Sequence, residues 1–338
     1  LALMRSSKFM VLFSSIKLRC FIILLTSSWI NQTYGQDPIF TQFYSNPIYL
    51  NPAFSGTNKC PRFVMNYRNQ WPAFPGAFIT TAASFDKYFD NLKGGIGLSV
   101  LSDQVGNGVL VTNQVNLSYA YHQHVSRSFT INYALQGSYI QKAANTNKMT
   151  FGDQIHSRRG FVFGTQEILN FEPVNFFDFS AGILGYTDKF YMGFVAHHLL
   201  EPDESLRTNS LSDTRLPMRY TIHLGTEFDL ASNSLYTSKG ESISPSILLS
   251  KQAEFTQINL GLYYKSGNYV VGFWYRNRDS FILTLGLESE HLRIGYSYDI
   301  TTSQLTPQSG GSHEVSLAYK FYCKPKVKSY RTMSCPSF

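Results

Sequence analysis

The sequence predicts an all-β fold: a transmembrane antiparallel up-and-down β-barrel of about 14 strands with an irregular N-terminal periplasmic arm. Three observations carry this expectation. First, residues 257–298 repeat one pattern three times. Ile258, Leu260, Leu262 and Tyr264 alternate with Asn259 and Gly261. Phe281, Leu283, Leu285 and Leu287 alternate with Thr284 and Gly286, and Leu292, Ile294, Tyr296 and Tyr298 with Arg293, Gly295 and Ser297. Successive strand side chains point to opposite faces, so each run has one apolar and one polar or small face. Second, only 15% of the 338 residues are charged and 15% are aromatic, against about 25% charged in an average soluble domain, while mean hydropathy stays near zero at −0.15. Third, no stretch after residue 36 reaches the roughly 18 apolar residues a membrane helix needs. A membrane crossing then has to use a closed barrel, because lipid tolerates no open sheet edge. A soluble sandwich also fits the alternation, but aromatics at the strand ends (Tyr264, Phe281, Tyr296, Tyr298) match an interfacial girdle and favour the barrel.

Residues 1–35 read as a secretion signal. Lys17 and Arg19 flank the apolar run from Cys20 to Ile30, and Thr33-Tyr34-Gly35 resembles a cleavage site, so the mature chain is expected to start at Gln36. Removing Arg5, Lys8, Lys17 and Arg19 brings the formal charge from +7 to about +3, and nucleic-acid binding loses its main support.

Residues 36–60 form the arm. Asp37-Pro38, Asn46-Pro47 and Asn51-Pro52 give it no period, and each proline biases its predecessor to extended geometry. Phe40, Phe43, Tyr44, Tyr49 and Phe54 are too many aromatics for a free linker and need a surface, either the barrel's periplasmic mouth or its lumen; the expectation is the periplasmic end. The barrel is placed at 61–322, with strands at 62–70, 77–86, 94–103, 109–122, 128–142, 175–187, 190–198, 219–230, 244–250, 255–264, 269–275, 280–288, 291–299 and 313–321, and a C-terminal periplasmic tail at 323–338. The longest connections, 143–174, 199–218 and 300–312, then fall on one side and short turns on the other, as in outer-membrane barrels; 231–243 is long for a periplasmic turn. After signal removal three cysteines remain, and Cys323 with Cys335, the nearest pair in sequence, is the candidate disulfide.

Beyond composition, ordered motifs carry a resemblance. They are Asp37-Pro38-Ile39-Phe40-Thr41-Gln42-Phe43-Tyr44, Asn46-Pro47-Ile48-Tyr49-Leu50-Asn51-Pro52-Ala53-Phe54-Ser55-Gly56, Tyr67-Arg68-Asn69-Gln70-Trp71, Asp299 with Thr301-Thr302-Ser303-Gln304-Leu305, Gly311-Ser312-His313-Glu314-Val315, and the closing Cys335-Pro336-Ser337-Phe338. Together they resemble the PorP/SprF family across essentially the whole mature chain. The resemblance implies an integral outer-membrane protein of Bacteroidota associated with type IX secretion and gliding motility. The implied partners are type IX secretion components, or a large secreted surface adhesin that the barrel helps to export and attach.

No residue cluster argues for catalysis, a cofactor or a metal. His197-His198 near Glu201 and Asp203 would point to opposite sides of an extended chain, and His122 with His124 falls near a turn; a loop or girdle role is preferred for both pairs. Asp153 and His156 lack a nucleophile context. Gly94-Gly95-Ile96-Gly97 opens a strand with no helix after it, which removes the phosphate-binding reason for those glycines. Lys142, Lys148, Arg158 and Arg159 make the longest outer loop basic; a solvated loop is the default reading, and acidic lipopolysaccharide or a surface partner is the functional one. The candidate partner-binding residues are Asn46, Pro47, Asn51, Pro52, Arg68 and Trp71, with membrane-interface anchoring the competing role for Arg68 and Trp71. The functional expectation is a non-enzymatic barrel of the secretion machinery; the alternative is a diffusion channel or small-molecule transporter.

Overall fold

The computed structural model describes residues 36–58, 60–74, 76–166, 171–206, 214–230, 240–302 and 310–323. Among them fourteen strands make the wall: β1 (Arg62–Gln70), β2 (Phe78–Phe89), β3 (Gly94–Val105), β4 (Leu110–His124), β5 (Thr130–Ala144), β6 (Val174–Tyr186), β7 (Phe190–His197), β8 (Arg219–Thr226), β9 (Glu241–Gln252), β10 (Phe255–Ser266), β11 (Tyr269–Arg276), β12 (Ser280–Glu288), β13 (Leu292–Thr301) and β14 (Ser312–Lys320). Each pairs antiparallel with the next, and β14 returns to β1 in the register Arg62↔Lys320 to Gln70↔Ser312. The sheet is therefore closed.

The alternation in the sequence becomes the two faces of this wall. On β5, Asn132, Ala134, Gln136 and Ser138 point inward and are buried, while Tyr133, Leu135 and Tyr139 point outward. Leu135 is 68% exposed beside its cross-strand partner Tyr119. The same apolar belt continues through Phe281, Leu283, Leu285 and Leu287 on β12. Apolar surface this continuous is stable against lipid and not against water. The girdle residues Tyr264, Phe281 and Tyr296 lie on this outer face. No described helix is long and apolar enough to cross a membrane.

The longer connections (71–77, 145–173, 198–218 and 302–311) share one end of the barrel with three short turns, 106–109, 253–254 and 277–279. The other end holds 90–93, 125–129, 187–189, 267–268 and 289–291. Long connections mark the cell-surface end of such barrels, so the second end is periplasmic. The connection expected to be long there, 231–243, lies mostly outside the described residues. Phe228–Asp229 extends the β8 line and pairs with Ile243 and Ser242, in the same register as Gly225↔Ser246. Between these two stretches the ladder skips two steps, opposite Pro245 and Ser244, and Pro245 has no N–H to donate.

Two expectations are corrected by the closure itself. The disulfide joins Cys60 to Cys323, not Cys323 to Cys335. Antiparallel pairing of β1 with β14 brings the residues before β1 beside those after β14, and Phe321 N donates to Pro61 O at 2.9 Å. The two Cα atoms are 5.6 Å apart despite a sequence separation of 263, within disulfide reach. Proximity in sequence was the wrong guide. Cys335, like the 1–35 segment and most of the 323–338 tail, lies outside the described residues.

The arm is the second correction. It is not stacked on the periplasmic mouth but runs lengthwise through the lumen. The inner wall is lined by Gly, Ser, Thr and Asn, and a fourteen-strand circumference leaves more space than such side chains fill. The arm's aromatics occupy that space: Phe43, Tyr44 and Phe54 share one buried cluster with wall residues Tyr191, Tyr263, Trp274 and Ile282.

Candidate functional site

The site is the contact between the arm and the inner wall. Locally the arm folds as three short turns: a 3-10 turn at Phe43–Ser45, one α-helical turn at Pro47–Leu50 and a 3-10 turn at Pro52–Phe54. Proline at the start of the last two supplies φ without adding an N–H that would need a partner in an enclosed lumen. Asn51 stays extended before Pro52, as the proline dictates, and its side chain accepts from Ala53 N at 2.9 Å as an N-cap.

From its first described residues the arm begins at the surface end. Asp37 takes His198 at 2.7 Å and Arg219 at 2.9 Å, and its N–H donates to the Gln252 side chain at 3.2 Å. His198 is held from behind by Asp178 at 2.7 Å. Burial alone would raise the Asp37 carboxyl, but the neighbouring His198 and Arg219 charges overcome it and hold the group below its usual range. Burial likewise works against charge on His198, yet the Asp37 charge and hydrogen bonds to Asp178 and Asp37 push its pKa up to about 9. The latch thus sets two cations against two carboxylates. Tyr49 stacks near Arg219, with 5.4 Å from guanidinium to ring, and burial pushes its hydroxyl up to about 12.

Midway, Glu314 on β14 is the principal anchor. It accepts from Thr41 N at 2.6 Å, Thr41 Oγ1 at 2.7 Å and Gln42 N at 3.2 Å, and is fully buried. Gln42 Nε2 returns a bond to the Glu314 backbone oxygen at 3.1 Å. Across the lumen, Asn51 Nδ2 donates to Ile183 O at 3.2 Å and lies 3.1 Å from His223 Nε2. Toward the periplasmic end, Asn132 donates to Ala53 O at 2.9 Å, Ser55 meets Ser118 at 2.8 Å, and His122 Nε2 lies 2.9 Å from Ser55 O. Gly56 N donates to Asp86 at 2.8 Å, and Asp86 is itself fixed by Arg62 at 2.9 Å. At Gly56, φ is +72° and the backbone packs on Gly95, where a side chain on either residue would strike the other's main chain. This close approach is the reason for glycine at Gly95, while a side chain at Gly94 would meet the Ala120 carbonyl and one at Gly97 the Ser118 and Ser55 hydroxyls.

The sequence-predicted residues fall in two places. Asn46, Pro47, Asn51 and Pro52 are all buried in the lumen, where they face the protein's own wall. Arg68 also points inward, bonding Asp299 at 3.1 Å and the Ile39 carbonyl, so it does not anchor the membrane interface. Trp71 lies at the surface end of β1 with φ +57°, its N–H on Gly311 O at 2.9 Å and its ring against Phe74 and Phe78. The histidine expectation also fails in its geometry. His197 and His198 are both buried, because φ +59° at His198 turns the chain out of the strand alternation. Asp37, Asp178 and Glu314 were not among the candidate site residues and His198 was given only a loop or girdle role, although inward position was readable for Glu314 between Ser312 and Ser316.

A gap of about 50 Å³ remains between the arm and β8–β10, beside Phe43, Tyr49, Arg219 and Gln257. That is room for a few waters.

A closed lipid-facing antiparallel barrel with a polar, occupied lumen defines an outer-membrane β-barrel protein. The model of one family, described as "Type IX secretion system membrane protein PorP/SprF", matches residues 32–319, and the chain belongs to that family. No curated protein matches it. Solved structures similar in fold include a toluene transporter from Pseudomonas putida, TodX (10% identity, 83% of this chain and 94% of that chain, TM-score 0.46). Others are Omp33 of Acinetobacter baumannii (7%, 78% and 100%, 0.43) and the KdgM porin (10%, 77% and 99%, 0.37).

Proposed function

We propose that this barrel works as a non-enzymatic scaffold of type IX secretion that assists export and surface attachment of a large adhesin-like cargo protein, with the surface-end loops as the cargo-facing side. The observation that carries the reading is the occupied lumen. The arm bonds to or packs on β1–β9, β11, β13 and β14, which disfavours the alternative of a diffusion channel. What is left to meet a partner is the loop surface. Its longest connection carries a small hairpin, Ile155–His156 against Gly160–Phe161, with Arg158 and Arg159 at its turn. Phe161, Val162 and Phe163 beside it are exposed. An apolar tip flanked by arginines is the composition of a protein-contact patch. Secretion requires export of the barrel itself, and we place signal cleavage near Gly35.

The test replaces 152–163 with a Gly/Ser linker in cells and follows one large surface protein by whole-cell proteolysis and mass spectrometry. The reading expects the barrel to stay in the outer membrane while that protein is lost from the surface. An unchanged surface proteome contradicts it.

A further inference from the structure

The outer, lipid-facing wall is not uniform. Across β14 and β1–β4, toward the surface end, it carries a recess of about 660 Å³. Two cross-strand rows form it. The lower row, Leu317, Met65, Ala83, Val100 and Val115, is apolar throughout. The upper row starts apolar at Val315 and Tyr67 and turns polar at Thr81, Ser102 and Asn113. Thr81 and Ala83 on β2 are the small floor, with Met65 and Tyr67 standing on one side and Val100 on the other. On β10–β12 the same face carries Leu262, Phe273 and Leu283 in register, with no such floor.

Polar side chains on a wall that faces lipid need partners, because hydrocarbon supplies none. Ser102 donates to Asn113 Oδ1 at 2.8 Å. The Asn113 amide hydrogens have no partner among the described residues, and the side chain is exposed. One outward position higher on the same two strands, at Gln104 and Val111, a second recess of about 540 Å³ adjoins the first. This one is polar, bordered by Asn145, Thr146 and Lys148. Lys148 ends a 3-10 turn at Thr146–Lys148, and its Nζ donates to Asn107 O at 2.7 Å. That bond tethers the ammonium beside the recess and leaves two of its three N–H groups for a ligand. Among the described residues no carboxylate pairs with Lys148, whereas Lys142 nearby pairs with Glu204.

From mid-wall toward the cell surface, this face presents an apolar trough, then hydrogen-bond donors at the edge of the belt, then a tethered cation. Acyl chain, ester or amide linkage and phosphate follow one another in the same order along an anionic lipid. Five strands at about 4.8 Å spacing make the trough about 19 Å wide, room for several acyl chains abreast. We propose that the outer face of β14 and β1–β5 is a binding site for the phosphorylated, multi-acyl glycolipid of the outer leaflet, lipopolysaccharide. Its acyl chains lie over Ala83 between Met65 and Val100, its linkage carbonyls accept from Asn113, and a phosphate takes Lys148. A charge-assisted bond at a wall of low dielectric is stronger than one in open water. The proposal stands on the lipid-facing wall and does not depend on which cargo the surface loops engage.

The experiment uses the full mature chain in a non-ionic detergent, followed by native mass spectrometry. The probe is monophosphoryl lipid A, with its dephosphorylated form and phosphatidylglycerol at equal concentration as controls. The expected result is preferential retention of the phosphorylated glycolipid, lowered about fivefold by Lys148→Gln, the worth of one lysine against an anionic lipid surface. Ala83→Phe, which fills the floor, is expected to lower retention of both glycolipid forms. Lys251→Gln is the charge control and should leave retention unchanged, since Lys251 is exposed near the surface end of β9, away from the recess. Heat-modifiability on a gel reports that each variant is folded, and Lys148→Gln, in a surface connection, keeps the test decisive if Ala83→Phe does not fold. Equal retention of the three lipids would overturn the proposal by making the wall a general lipid surface. So would equal losses in Lys148→Gln and Lys251→Gln, or full retention by folded Ala83→Phe.

Discussion

At Glu314 both carboxylate oxygens accept from the arm, and no water competes for them in a fully buried position. Replacing it with alanine strands the Thr41 and Gln42 N–H groups, a loss of about 3 kcal/mol or more. The Glu314→Ala barrel should therefore lose its gel-shift heat-modifiability at a lower temperature than wild type, and a cysteine at Thr41 should become reactive to maleimide; an unreactive cysteine would remove Glu314 as the anchor. His198 makes a separate, pH-dependent contribution. Its pKa rises from 6.5 to about 9 on folding. A raised basic pKa means stabilisation fully present below about 6.5 and lost as pH climbs through about 9. The groups facing it are Asp37, Asp178, Arg219 and His197. Thermal midpoints in detergent should fall between pH 6 and pH 10 in wild type, and a His198→Gln variant should lack that component of the fall. Identical profiles would show that His198 carries no linked proton.

Among the elements, the strands were legible and the arm's position was not. Period two, aromatic strand ends and turn residues are local signals, and the register of Arg62–Gln70 or Phe255–Ser266 follows from them. Where the arm sits depends on the width of a lumen that exists only after fourteen strands close, so no local pattern in 36–56 encodes it. The Cys60–Cys323 bond was hidden for the same reason, since barrel closure and not sequence spacing makes the two neighbours. Asn46-Pro47 and Asn51-Pro52 were noticed correctly as unusual, but what they contact is the chain itself. The seam between β1 and β14 is where the disulfide acts. Removing it with Cys60→Ser and Cys323→Ser should lower stability by about 2–4 kcal/mol, read as an earlier heat-modification midpoint, with the arm still protected. A double variant with an unshifted midpoint would mean that strand pairing alone holds the seam.

For the molecule as a whole, the occupied lumen links fold to function. A barrel of this circumference without its arm would be a water-filled conduit, and with the arm it is a plugged cylinder whose two ends are left for recognition. The surface end offers the basic, aromatic-tipped loop. The measurement that tests this most directly is single-channel recording in planar bilayers, comparing the mature chain with a version lacking 36–56. The account predicts a silent intact barrel and steady, ohmic conductance once the arm is gone. Steady conductance from the intact barrel would contradict it and return the diffusion channel to first place.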